Sequence, residues 1–126
     1  MDKTNGIQEK MKAERFEDLH VWKKAHKPVL EIYNITRGFP TEEKFGLVSQ
    51  MRRAAVSIPA NIAEGFKKRT LRDKSNFYNI AQGSLEELRY YLILSKDLGF
   101  LQNNKNFINL IEEIGKMLYR LIESIK

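Results

Sequence analysis

The chain contains no cysteine, so it has neither disulfides nor thiol chemistry, and a reducing, cytoplasmic setting fits it. It has only two histidines and one tryptophan. Nucleophile–base pairs are scarce as a result, and Ser57 has no histidine near it in sequence. No glycine-rich phosphate loop is present. No apolar run approaches the roughly 20 residues that a membrane span needs. The opening stretch Met1–Glu14 ("MDKTNGIQEKMKAE") lacks the apolar centre of a signal peptide and reads as polar tail. Strand-like alternation and internal repeats are also missing.

Metal chemistry has little to build on. Bundles that hold a di-iron site use two Glu-x-x-His motifs and two further glutamates. Here one such spacing, Glu17 to His20, has no second copy, and His26 stands at no ligand spacing. Both histidines read as surface residues. The expectation is a protein that is not an enzyme and holds no metal or cofactor.

What is present is an uneven charge. The formal net charge is +6 over 126 residues. Residues 1–43 carry eight basic and eight acidic side chains, and residues 75–126 carry six of each. Residues 44–74 carry eight basic groups against Glu64 and Asp73, which is the whole excess of +6. Positive charge so gathered favours a polyanion. The candidate phosphate contacts are Arg52, Arg53, Lys67, Lys68, Arg69, Arg72 and Lys74. Arg72 falls in a first helical turn, where the helix dipole disfavours a cation, which hints at a use beyond stability. A solvated loop with no partner is the alternative for "KKRTLRDK".

Apolar spacing predicts four helices. The first runs from about Asp18, a plausible N-cap, to Thr36, with Leu19, Trp22, Ala25, Val29, Ile32 and Ile35 in one stripe. Pro28 should kink it. The second opens at Thr41 as cap, with Glu42 and Glu43 in the first turn. Val48, Met51, Ala55, Ile58 and Ile62 step 3, 4, 3, 4 as a bundle seam. Gly65 reads as its left-handed C-cap. The third opens with the capping box Thr70-x-x-Asp73 and carries Phe77, Ala81, Leu85, Leu88 and Leu92, ending at "DLGF". Ala81, Gly83 and Ser84 suggest that another helix approaches closely. The fourth, from about Asn103 to the end, presents Phe107, Ile111, Ile114, Leu118, Leu121 and Ile125. A second line, Ile108, Leu110, Met117 and Ile122, makes a stripe wide enough to cover its own core and another subunit.

Pro59 lies inside the second helix. Proline removes a backbone bond and crowds the carbonyl four residues back, at a cost of about 3 kcal/mol. The seam continues across it without a phase break, which predicts one kinked continuous helix. The alternative is a helix that ends near Ser57, with a new turn starting at Pro59. Asn61 and Glu64 read as a polar pair holding the end of this helix. With short loops, the expected fold is an all-α, antiparallel up-down-up-down four-helix bundle over residues 16–126, preceded by a flexible tail over residues 1–15.

The stretches "FEDLHVWKKA", "FPTEEKFGLVSQMRRAAVSIPANIAEG" and "GSLEELRYYLILSKDLGF" resemble the four-helix-bundle proteins encoded in intervening sequences of bacterial 23S ribosomal RNA genes. That family is also labelled S23 ribosomal protein and is similar to the accessory variability proteins of diversity-generating retroelements. The resemblance spans about residues 16–126, and "RRA-x-SIPANIAEG" is its most specific part. It implies a bundle assembled as a homopentameric barrel, with no known catalytic activity. For the retroelement relatives it implies binding to nucleic acid and to a reverse transcriptase through basic surface residues. Pro28 departs from the helix formers usual at its position.

Two functions follow as expectations. The first is an oligomeric protein that binds RNA or DNA electrostatically through the basic residues, with little sequence readout. The second is an interaction scaffold for a protein such as a reverse transcriptase or a ribosomal component. The apolar face of the fourth helix and Tyr78, Tyr90 and Tyr91 would serve it. No membrane association is expected.

Overall fold

The computed structural model describes residues 13–126. Residues 1–12, which make up most of the expected tail, lie outside the described residues. Four helices carry the fold: α1 (His20–Thr36), α2 (Leu47–Lys67), α3 (Leu71–Asp97) and α4 (Lys105–Ser124). No strand occurs among the described residues. Each helix packs on two others, α1 and α3 both lying against α2 and α4, which makes a four-helix bundle. The contacts of α2 and α3 run in opposite senses: Met51 meets Ser95, Ser57 meets Ser84, and Gly65 faces Tyr78.

The core is the meeting of four apolar stripes. Ile32 of α1, Met51, Ile58 and Ile62 of α2, Leu88 and Leu92 of α3, and Ile114 and Leu118 of α4 are fully enclosed. Each such side chain contributes about 1.5–3 kcal/mol on leaving water. One end of the bundle is closed by Phe39, after α1, and Phe100, after α3, with ring centroids 5.4 Å apart.

Helix starts differ from the sequence-based expectation in two places. Asp18 does not cap α1. It ends a 3-10 turn over Phe16–Asp18, and its Oδ2 accepts the backbone N–H groups of Glu14 and Arg15 at 3.2 Å. Thr41 does not cap α2 either. Thr41–Glu43 is a separate 3-10 turn, and α2 begins at Leu47, whose N–H donates to Glu43 Oε1 at 3.1 Å. The glutamate expected in the first turn instead serves the first turn from outside, supplying an acceptor to one of the orphan amides. Thr70 does cap α3, accepting the Asp73 N–H at 3.1 Å.

Pro28 in α1 and Pro59 in α2 sit inside unbroken helices and are buried. The alternative of a helix ending near Ser57 therefore does not hold. Small buried neighbours, Ala54 and Ala55, surround the carbonyl that Pro59 crowds. Asn61 Nδ2 adds a bond to the Ser57 carbonyl at 2.7 Å and to Ser57 Oγ at 2.9 Å. Glu64 is exposed and is not its partner.

Gly65 is not a C-cap. The helix continues through it to Lys67. A Cβ at Gly65 would lie 2.6 Å from Tyr78 Cε1 and 3.1 Å from Phe77 Cβ, so glycine is there to let α3 come close. The only positive φ among the described residues is at Gly99, φ 80°, in the turn after α3. That is the glycine for which backbone freedom matters.

Candidate nucleic-acid interface

The seven cationic candidates do not form one patch. Arg52 and Arg53 lie in the second turn of α2, and Lys67 lies at its end, ~20 Å further along the helix axis at 1.5 Å per residue. The two groups differ in how they are held.

Arg52 is built into the fold. Its Nε donates to Thr36 Oγ1 at 3.1 Å and its guanidinium lies 4.5 Å from the centroid of the Tyr33 ring. Thr36 is buried and passes its own proton back to the Ile32 carbonyl. Arg52 thus closes the C-terminal end of α1, where a cation meets the negative pole of the helix. Arg53, next in sequence, is exposed.

Lys74 is also committed. Its Nζ donates to the Phe66 carbonyl at 2.6 Å and reaches the Gly65 carbonyl at 3.4 Å. These are last-turn carbonyls of α2, and that of Gly65 also accepts the Lys68 N–H, so Lys74 supplies the closure of this helix end that Gly65 was expected to provide. Burial holds its ammonium pKa below the ordinary lysine value. Lys74 is removed from the set of phosphate contacts on this ground.

Besides Arg53, which stands apart on α2, Lys67, Lys68, Arg69 and Arg72 remain. All four are exposed. They lie on the last turn of α2, the connection over Lys68–Thr70, and the first turn of α3. Lys68 Nζ lies 4.9 Å from the centroid of Phe77, so its ammonium rests over an aromatic face. The ion pairs among the described residues are Lys24–Glu113, Arg89–Glu86 and Lys126–Glu123, and none of them involves this arc. Four cations therefore stand on six residues of short, well-anchored chain, free to meet an anion.

The aromatic candidates for protein contact divide. Tyr78 is only 2% exposed and is a core residue, which corrects its assignment to the surface. Burial pushes its phenol pKa up to about 12. Tyr91 is half-buried and donates to Glu87 Oε2 at 3.0 Å; Tyr90 is exposed. Phe45, which the sequence reading passed over, is the most exposed large apolar residue described, at 88%. The available signal was its place between Lys44 and Gly46, outside any apolar stripe.

His26 is exposed and stacks on Trp22, with centroids 5.2 Å apart. No group of three or more potential metal-ligating side chains occurs among the described residues. None of the described helices is long and apolar enough to cross a membrane. An open groove between α3 and α4 is lined by charges of both signs, Glu86, Arg89, Glu112, Lys116 and Arg120.

These features define a small helical-bundle protein whose unpaired charge is displayed at a helix connection. Residues 17–120 match the 23S rRNA-intervening sequence protein family, and the chain belongs to that family. The fold is similar to the crystal structure of a protein of unknown function from the S23 ribosomal protein family of Bacteroides thetaiotaomicron. The two share 28% sequence identity at a TM-score of 0.75, over 82% of this chain and 95% of the other. No curated protein matches the chain.

Proposed function

We propose that this chain is a non-enzymatic, oligomeric protein that binds nucleic acid, RNA or DNA, electrostatically. The observation that carries the reading is the exposed arc of Lys67, Lys68, Arg69 and Arg72, which has no ion-pair partner among the described residues. Phosphates would take the place of the missing acids, and counterion release would supply most of the affinity. Membership of a family tied to 23S ribosomal RNA genes supports it.

Oligomerisation is part of the proposal. Phe107, Ile108, Leu110, Met117 and Leu121 of α4, with Ile125 just after it, are only partly buried against the core, leaving apolar surface that another copy can cover. A homopentamer is the assembly that the family resemblance implies. Repetition around a ring would convert several weak contacts per chain into avidity.

The test is the mass of the native assembly by light scattering, with and without a mixed-sequence RNA or DNA duplex, at low and high salt. The expected result is a multi-chain assembly that gains mass with nucleic acid at low salt and loses it at high salt. Four phosphate contacts per chain correspond to a slope of log K against log salt of about −4. An assembly that ignores nucleic acid at both salts overturns the reading. It would direct the search to a protein partner, such as a reverse transcriptase or a ribosomal component.

A further inference from the structure

A second cationic surface lies at the other end of α2, and its composition differs from that of the arc. Lys44, Arg52 and Arg53 share an open groove of about 570 Å³ with Tyr33, Phe45 and Val56. Every ionisable side chain lining the groove other than Tyr33 is a cation. The acids nearest in sequence are Glu42, which does not line the groove, and Glu43, which is turned to the Leu47 N–H. Phe45 is almost wholly exposed, and Lys44 Nζ lies 5.5 Å from the centroid of its ring. Tyr33 and Val56 are exposed as well.

Cations interleaved with exposed rings suit one class of polyanion. A duplex hides its bases and offers phosphates, for which the arc at Lys67–Arg72 is sufficient. A single strand offers base faces too, and these gain by stacking on an aromatic ring in a sequence-tolerant way. We propose that this groove is a stacking site for single-stranded nucleic acid. Phe45 is the platform for a base, and Arg53 and Lys44 receive the flanking phosphates. Arg52, fixed by Thr36 and Tyr33, is a positive charge that loses no freedom when the strand arrives. The inference rests on the nucleic-acid reading above and adds the form of nucleic acid that this end of the molecule selects.

The test uses the full chain and labelled oligomers of about 20 nucleotides, long enough to span a single-strand site. Oligo-U, oligo-dT and a mixed-sequence duplex are titrated at low salt by fluorescence anisotropy. The variants are Phe45→Ala, Phe45→Trp and the pair Lys67→Glu, Lys68→Glu. Phe45→Ala is expected to weaken binding of both single strands about tenfold, and of duplex less than about twofold. Phe45→Trp retains single-strand binding. Thermal stability and assembly mass stay as in the parent, because the side chain packs on nothing in the core. If Phe45→Ala binds single strands as the parent does while the Lys67, Lys68 pair weakens every ligand, this inference falls and the electrostatic reading stands. If the parent binds neither form at low salt, both fall. If Phe45→Ala changes the assembly mass, Phe45 belongs to a contact between subunits and the stacking site is withdrawn.

Discussion

Helix α3 has two neighbours and meets them differently. Against α2 it is close. Gly65 leaves room for Tyr78, Ser57 Oγ lies 2.7 Å from Ser84 Oγ, and Ala54, Ala55 and Ala81 are buried. Against α4 it is looser. α4 encloses only Ile111, Ile114, Leu118 and Ile122, and an open groove runs beside Leu85 and Gly115. A Cβ at Gly115 would lie 3.4 Å from Leu85 Cδ2, at the near limit of ordinary contact. Small residues let α2 and α3 share one tight seam, while larger ones hold α4 at its edge. The side with slack is the side proposed to receive another copy.

The sharpest way to break this contrast is Gly65→Ala. The new methyl would meet the Tyr78 ring at 2.6 Å, and Tyr78 is itself enclosed. Overpacking should outweigh the gain in helix propensity and cost about 3 kcal/mol, read as a lowered urea midpoint. A neutral result would mean that the seam can open.

Alkaline unfolding probes the same seam by charge. The folded-state pKa of Tyr78 is raised to about 12 from an ordinary 10.0 by burial. The neutral phenol is the form the fold favours, so its contribution is complete below pH 10 and is lost as pH rises toward 12. The loss is on the order of 2 kcal/mol. Tyr78→Phe should remove this part of the pH dependence; an unchanged profile would assign it elsewhere.

The remaining two substitutions should stabilise. Gly83 is exposed in α3 with open space around its Cα, so Gly83→Ala should raise stability by about 0.8 kcal/mol. Gly115→Ala should give a smaller gain, about 0.4 kcal/mol, because Leu85 must adjust. A loss above about 1 kcal/mol at Gly115 would mean that α3 and α4 are packed as tightly as α2 and α3.

Helix identity was legible because four stripes repeat at three and four residues over long stretches. Their ends were harder. "GFPTEE" and "AEGF" carry the usual start and stop residues, but Glu43 acts from outside α2, and Gly65 serves packing, not backbone freedom. Gly99 has the same Gly-aromatic signature and does turn the chain, so the signature alone does not separate the two. The α3 stripe was begun at Phe77, yet the 3, 4, 3, 4 rhythm of Tyr78, Ala81, Leu85, Leu88 and Leu92 pointed to Tyr78. For the candidate site, charge counting drew attention to residues 44–74 and could not sort them. Arg52 and Lys74 are held at helix ends by contacts to Thr36, Phe66 and Gly65, which depend on where α1 and α3 lie relative to α2.

The Lys74 cap has a consequence for how the chain is made. With Thr70 and the Gly65–Tyr78 contact, it fastens both ends of a connection only three residues long. Closing so short a loop costs little chain entropy, and its contacts are local in sequence. During synthesis, residues 47–97 have their mutual contacts available before α4 exists. The tight hairpin can therefore form before α4 and present a ready surface to it. The cations on its turn are displayed from that moment, before the bundle is complete.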